Sequence, residues 1–331
     1  MRKLLDLPFE ELYKQFPYMD DFYKSIGIET PDTSKHATFA KWLDYQDPYD
    51  LKDKGLNSEE IEENFLLFYE RMTHRESMDH SVDSVTILGG TDKDGNREDF
   101  ELTLKRGDVV SVVGPTGSGK SRLLADIEWL AQADTPTNRK ILINGEKPDT
   151  KWRYSLDGKL VAELSQNMNY VMDVSVGDFL EIHGKSRRIE NIEEKKDMII
   201  RAANALVGEE IVADCPLTAL SGGQSRALMI ADTAYLSASP IVLIDEIENA
   251  GIDRKKAINV LLDADKIILL ATHDPVLALS AQKRIVMHNG AVCALIQTTD
   301  KEKEKLSELE EMNNRLLHYR DLLKQGKLVE E

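Results

Sequence analysis

The chain has 331 residues, 41% hydrophobic and 31% charged, with a formal net charge of −17. Enough apolar residue is present for a packed core, the length suggests roughly two domains, and no run approaches the ~18 apolar residues of a membrane helix. The opening Met1-Arg2-Lys3-Leu4-Leu5-Asp6 lacks a signal peptide's apolar stretch, two distant cysteines make no disulfide framework, and the acidic balance argues against a nucleic-acid surface built from clustered Lys and Arg. A cytoplasmic protein is expected.

Residues 1–79 read as a small helical module. Pro8 precedes Phe9, Leu12, Tyr13 and Phe16 at helical spacing. Pro17 suits the first position of a second helix that Gly27 ends. Thr30–Ser34 reads as a loop. Asn57, with Glu60 three residues on, caps a helix carrying Ile61, Phe65, Leu66 and Phe68. The aromatic residues are expected to form the module's own core, and the module to dock a partner.

From residue 80 to 299 short β-branched runs alternate with glycine turns and helices. Val109–Val113, Ile241–Ile244 and Ile267–Leu270 read as buried strands of a mainly parallel sheet, and Asp94-Gly95-Asn96 as a turn. Residues 300–331 form a charged helix with a stripe of Leu309, Met312, Leu316, Tyr319 and Leu323, and the helix is expected to pack on its own domain rather than to serve as a dimerisation arm. Cys215 and Cys293 are expected to be small buried residues.

The strongest motif follows the first of those strands: Gly114-Pro115-Thr116-Gly117-Ser118-Gly119-Lys120-Ser121. Its glycines let backbone N–H groups face phosphate oxygens, and the helix after it turns its positive end to the same oxygens. Lys120 supplies a cation to the β- and γ-phosphates, and the Ser121 hydroxyl is placed for Mg²⁺. Downstream, Ile241–Ile244 runs into Asp245 and Glu246, which puts two carboxylates at the carboxyl edge of the sheet. Asp245 is expected to hold Mg²⁺ and Glu246 to polarise the attacking water.

About a hundred residues after the loop and about twenty before the acids stands Leu220-Ser221-Gly222-Gly223-Gln224. This segment resembles the signature of the ATP-binding-cassette (ABC) ATPases. Further likenesses follow in that family's order: Gln166 in Leu164-Ser165-Gln166-Asn167, Asp253 in Ala250-Gly251-Ile252-Asp253, and His273 in Ala271-Thr272-His273-Asp274. The resemblance covers Val82–Thr299, roughly two thirds of the chain. It implies an α/β fold: a P-loop NTPase core of ABC type, with a mixed sheet and a helical subdomain, plus the all-α module and the C-terminal helix. It implies ATP and Mg²⁺ as cofactors and ATP hydrolysis as the reaction. Glu246, His273 and Gln166 would be catalytic, Gln166 with Ser121 and Asp245 also serving the metal. The nucleotide would be held by Gly114 through Ser121, by Arg122, and across a head-to-tail dimer by Ser221, Gly222, Gly223, Gln224 and Asp253 of a second copy.

The chain also departs from that family. Members usually carry an adenine-stacking aromatic about 25 positions before the loop, whereas Val85-Thr86-Ile87-Leu88-Gly89-Gly90 has none, leaving an apolar contact or His80 to hold the base. Glu246 is followed by Ile247-Glu248-Asn249 rather than proline, as in some non-transport ATPases. Residues Leu7–Trp42 resemble small helical domains attached to redox and metal-centre repair proteins. Three tasks follow. One is ATP-driven work on a soluble partner, a metalloenzyme being one candidate, and these departures favour it slightly. The alternative is the ATPase subunit of a transporter with a separate membrane permease, peripheral to the membrane. A DNA-repair ATPase is disfavoured by the charge and by the lack of a long coiled-coil insertion.

Overall fold

Proline and polar caps set the helices of the first part of the chain. In the computed structural model, residues 2–16, 19–31, 38–53, 56–76, 82–154, 159–165, 170–187, 189, 191–246 and 252–329 are described. They fall into two units, Met1–Ser81 and Val82–Glu331. The first contains α1 (Arg2–Leu5), α2 (Phe9–Gln15), α3 (Met19–Ser25), α4 (Phe39–Asp44), α5 (Pro48–Asp53) and α6 (Ser58–Glu76). The Asn57 Oδ1 accepts from Glu60 N at 2.8 Å to start α6, and the Thr38 hydroxyl accepts from Lys41 N to start α4. Pro17 lies outside the described residues. Phe16, Phe22, Tyr23, Phe39 and Phe65 are buried together, with Phe39 stacked on Phe65 at 4.4 Å and Phe22 edge-on to Phe65 at 5.2 Å. These aromatic faces and edges supply the small core that a unit of this size needs.

The second unit begins with β1 (Ser84–Leu88), β2 (Glu101–Lys105), β3 (Val109–Val113), α7 (Lys120–Glu128) and β4 (Lys140–Ile143). It continues through α8 (Thr150–Tyr154), β5 (Val161–Leu164), α9 (Val176–Ser186), α10 (Ile192–Asn204), α11 (Gly222–Tyr235), β6 (Ile241–Asp245), α12 (Arg254–Asp263) and β7 (Ile267–Ala271). It ends with α13 (Pro275–Ser280), β8 (Lys283–His288), β9 (Ala291–Gln297) and α14 (Asp300–Lys324). One sheet is antiparallel, in the order β2-β1-β4; the other has six strands in the order β5-β6-β7-β3-β8-β9, parallel except for the β8–β9 hairpin. Its central strands are apolar at nearly every position because both faces are covered. Val110, Val112, Leu243 and Leu269 pack towards Leu123, Leu124 and Ile127 of α7. The alternate residues Val109, Val242, Ile244, Ile268 and Leu270 pack towards Leu228, Ile230 and Ala231 of α11. This period-2 division puts the carboxyl ends of β3, β6 and β7 side by side, with Ser111 opposite Leu270 and Asp245 opposite Ala271.

Helix α14 packs on its own unit, against α13, as expected, although Met312, Leu316 and Leu323 of its stripe are exposed and only Leu309 and Tyr319 are half-buried. The helix turns Leu306, Glu310, Asn313 and Leu317 towards a cavity of about 1010 Å³ beside α12 and α13. Ion pairs join it to the unit, Lys255 to Glu310 at 2.8 Å and Arg284 to Glu302, whose pKa the Arg284 guanidinium draws down to about 2. Cys293 is exposed and Cys215 only half-buried, because β9 is an edge strand and Cys215 lies in the loop before Pro216. Among the described residues no helix is long and apolar enough to cross a membrane.

Candidate functional site

The turn after β3 can be made only because glycine occupies its left-handed positions. Gly114, Gly117 and Gly119 have φ of 151°, 77° and 108°, a region that other residues enter at a cost. Gly114 and Gly119 are needed for space as well. A Cβ on Gly114 would stand 2.4 Å from the Met287 carbonyl oxygen and 2.7 Å from the Ser118 Oγ, and one on Gly119 would stand 2.9 Å from Gly290 Cα. Gly119 is the residue before α7, so the loop delivers its N–H groups and the helix dipole to one concavity.

Inside this loop Lys120 is buried, and its Nζ donates to the Gly114 carbonyl and to His273 Nε2, both at 3.0 Å. An ammonium has donors only, so Nε2 is the acceptor and the ring proton belongs on Nδ1. Ser121 Oγ donates to Asp245 Oδ2 at 3.2 Å. The main chain turns sharply after β6. Glu246 has a φ of 51°, donates its N–H to the Ala271 carbonyl, and carries its carboxylate to 3.7 Å from His273 Nε2. A non-glycine residue in this region costs about 1–3 kcal/mol and persists where surroundings over-determine it, often at active sites.

The structure thus gathers Gly114, Lys120, Ser121, Asp245, Glu246 and His273 at one sheet edge. Pro115, Thr116 and Gly117 form the exposed crest of the loop, and Arg122 points outward on α7. The remaining residues singled out by sequence do not join this group by any hydrogen bond or ion pair among the described residues. Ser221 is the N-cap of α11 in a reciprocal capping box: its Oγ accepts from Gln224 N at 3.3 Å, and Gln224 Oε1 accepts from Ser221 N at 2.9 Å. The Gln224 side chain is therefore occupied by capping. Gly222 has open space where a Cβ would stand, and Gly223 follows it in the first turn. Asp253 caps α12 by accepting from Lys256 N. Gln166, Ile247, Glu248, Asn249 and His80 lie outside the described residues.

A buried polar network behind the loop has no signature in the sequence. Arg139 is fully buried and donates to both oxygens of Glu98 at 2.9 and 3.0 Å, to Asp126 Oδ2 at 3.2 Å and to the Gly290 carbonyl at 2.6 Å. Glu98 also accepts from the N–H groups of Gly90 and Val292, and Thr137 donates to Asp126. Asp126 lies on α7, and Gly290 N donates to the Ser118 carbonyl at 2.7 Å. The network therefore ties the antiparallel sheet, the β8–β9 hairpin and the phosphate-type loop into one body. No local spacing betrays it, since its members come from separate loops and a helix.

The donor set fits a nucleoside polyphosphate. The Lys120 ammonium and the positive N-terminal end of α7 meet at one concavity. The Ser118 Oγ is shut inside the loop beside Gly114, its residue only 4% exposed, with no hydrogen-bond partner among the described residues. The adjacent Ser121 hydroxyl and Asp245 carboxylate are hard oxygen ligands of the kind Mg²⁺ takes.

Comparison with known proteins agrees with this geometry. The family described as ABC transporter matches residues 97–249. An uncharacterized ABC transporter ATP-binding protein of Methanocaldococcus jannaschii is 52% identical over 248 residues, which is 74% of this chain and 94% of that protein. Among solved structures, CbiO1 from Clostridium perfringens, part of the CbiONQ ABC transporter complex, superposes with a TM-score of 0.53 at 22% identity, over 73% of this chain and 99% of that one. A dimeric ATP-binding cassette in a post-hydrolysis state bound to ADP and Pi gives a TM-score of 0.50 at 22% identity, over 65% and 99%. The fold, the phosphate-type loop with its paired acids and histidine, and this kinship together assign the chain to the ABC transporter ATP-binding family, as an ATP-binding and ATP-hydrolysing ABC ATPase.

Proposed function

We propose that this ABC ATPase is the energy-supplying subunit of a transporter whose membrane-spanning part is a separate chain, and that two copies close head to tail over two MgATP. The likeness to the M. jannaschii ABC transporter ATP-binding protein supports this reading, and CbiO1 belongs to a transporter complex. It reverses the order of the two tasks drawn from the sequence, because the relatives named above are transporter ATP-binding proteins. The docking role of residues 1–79 then becomes accessory.

In the proposed cycle Lys120 and the loop N–H groups would hold the β- and γ-phosphates, and Ser121 and Asp245, with Gln166 as the family resemblance implies, would hold Mg²⁺, which would neutralise charge on those phosphates. Glu246 orients and deprotonates the attacking water, and His273 contacts the γ-phosphate. The assigned geometry is compatible: the Glu246 carboxylate and Lys120 ammonium both reach His273. Ser221, Gly222 and Gly223 of a second copy would close the far side, where the exposed first turn of α11 offers free N–H groups and a helix N-terminus to phosphate. The dimeric cassette with ADP and Pi offers a precedent for such a pair.

Two outcomes test this. Ser221→Arg should leave nucleotide affinity of the single chain near wild type while abolishing ATP-driven association; equilibrium binding and light scattering read both, and undiminished association contradicts the composite site. The Glu246→Gln protein, held in MgATP and used as bait on native membranes and cytosol, should enrich a polytopic membrane protein. Enrichment of a soluble enzyme instead, lost on deleting residues 1–79, would replace the transporter reading with partner remodelling.

A further inference from the structure

A second lysine is built onto the phosphate-type loop. Lys93 lies in the turn between β1 and β2, and its Nζ donates to the Gly117 carbonyl at 2.7 Å. Its placement is not incidental. The Lys93 N–H donates to the Asn289 carbonyl at 3.0 Å. Its stem crosses Gly290, where an added Cβ would stand 3.0 Å from Lys93 Cγ. Gly290 has a φ of 87° and donates in turn to the Ser118 carbonyl. The hairpin glycine thus leaves the space through which the lysine reaches the loop.

The turn itself is held by Asp92, whose Oδ1 accepts from the N–H groups of Asp94 and Asn96 and whose Oδ2 accepts from Asn96 Nδ2. Asp94 accepts from Asn289 Nδ2 at 2.7 Å. Both acids flanking Lys93 are therefore engaged elsewhere, and Lys93 makes no ion pair among the described residues. In a chain of net charge −17, an exposed ammonium with no carboxylate partner among the described residues, held against a phosphate-type loop, is open to an anion.

We propose that Lys93 binds the nucleotide, contacting the phosphate chain at its α end. The inference rests on the ATP site described above. Lys120 bonds the Gly114 carbonyl, and its neighbours Asp245 and His273 mark the end of the site where the γ-phosphate is cleaved. Lys93 bonds the Gly117 carbonyl instead and touches none of that machinery. Two ammonium groups thus bracket the loop, and a polyphosphate cradled by its N–H groups would run between them. Binding energy that an adenine-stacking aromatic would supply comes here from charge, and a phosphate contact is blind to the base.

The test is equilibrium binding of ATP, GTP and ADP to the full-length chain and to Lys93→Ala and Lys93→Arg. Lys93→Ala should weaken all three by a similar factor, about 10-fold for loss of one charge-assisted hydrogen bond. Lys93→Arg should retain most of the affinity, and the melting temperature without nucleotide should be unchanged in both variants. Undiminished affinity in Lys93→Ala would overturn the proposal, as would a loss confined to ATP (a base contact) or one matched by a lower melting temperature of the nucleotide-free protein (a brace for the loop). If the wild-type chain bound no nucleotide, the ATP site itself would fail, which is a different result.

Discussion

Glu246→Gln should reduce ATP turnover by roughly 100- to 10,000-fold, the span removed with a positioned general base, and leave ATP affinity within a few-fold of wild type. The substitution keeps the size of the side chain and the strained turn at φ 51° while removing the group able to accept a proton. Neither Lys120 nor Ser121 depends on it, since their hydrogen bonds run to Gly114, His273 and Asp245. Phosphate-release assays with saturating MgATP check the first half and nucleotide titration the second. Turnover near wild type would move the base elsewhere. Loss of binding together with turnover would make Glu246 a binding residue.

Arg139→Met should be the most destabilising single change in the second unit. It leaves Glu98 and Asp126, both buried, without the cation they share. Breaking a buried ion pair by removing one partner costs about 3–5 kcal/mol, which for a unit of this size lowers the melting transition by roughly 10 °C. Calorimetry of the full chain reads this as a shift of the larger transition. Adding Glu98→Gln and Asp126→Asn to Arg139→Met should recover part of the loss, because neutral amides cost less to leave partly unpaired. A shift of a degree or two in the single variant would mean that water reaches the network.

What the sequence made legible is whatever local backbone chemistry dictates. Gly114, Gly117 and Gly119 announce left-handed positions, and the lysine and serine after them can face only one concavity. The apolar runs at Val109, Ile241 and Ile267 announce strands buried on both faces. Asp245, Glu246 and His273 are legible because each ends or follows such a run, so the sheet itself brings them together. Asn57 and Glu60 announced α6 by the same local logic.

The illegible parts are set by long-range packing. Arg139 and Glu98 are 41 residues apart, and neither sits in a periodic pattern. Packing of α14 on its own unit was legible, but its contact face is shared with Leu306, Asn313 and Leu317 and with the pairs Lys255–Glu310 and Arg284–Glu302, which join distant elements. Lys93 carries no motif, and only the closeness of the β1–β2 turn to the β8–β9 hairpin aims it at Gly117. Gln224 belonged to the signature, yet its side chain serves the helix cap, a local use equally compatible with its spacing from Ser221.

The central claim is that ATP joins two copies of this chain through the α11 start of each. It is tested most directly by measuring the molar mass of Glu246→Gln in solution by light scattering, with and without MgATP, alongside the same protein carrying Ser221→Arg. The account predicts one chain mass without nucleotide, twice that mass with MgATP, and one chain mass again for the double variant under both conditions. A mass that ignores MgATP, or a doubled mass that survives Ser221→Arg, would contradict it.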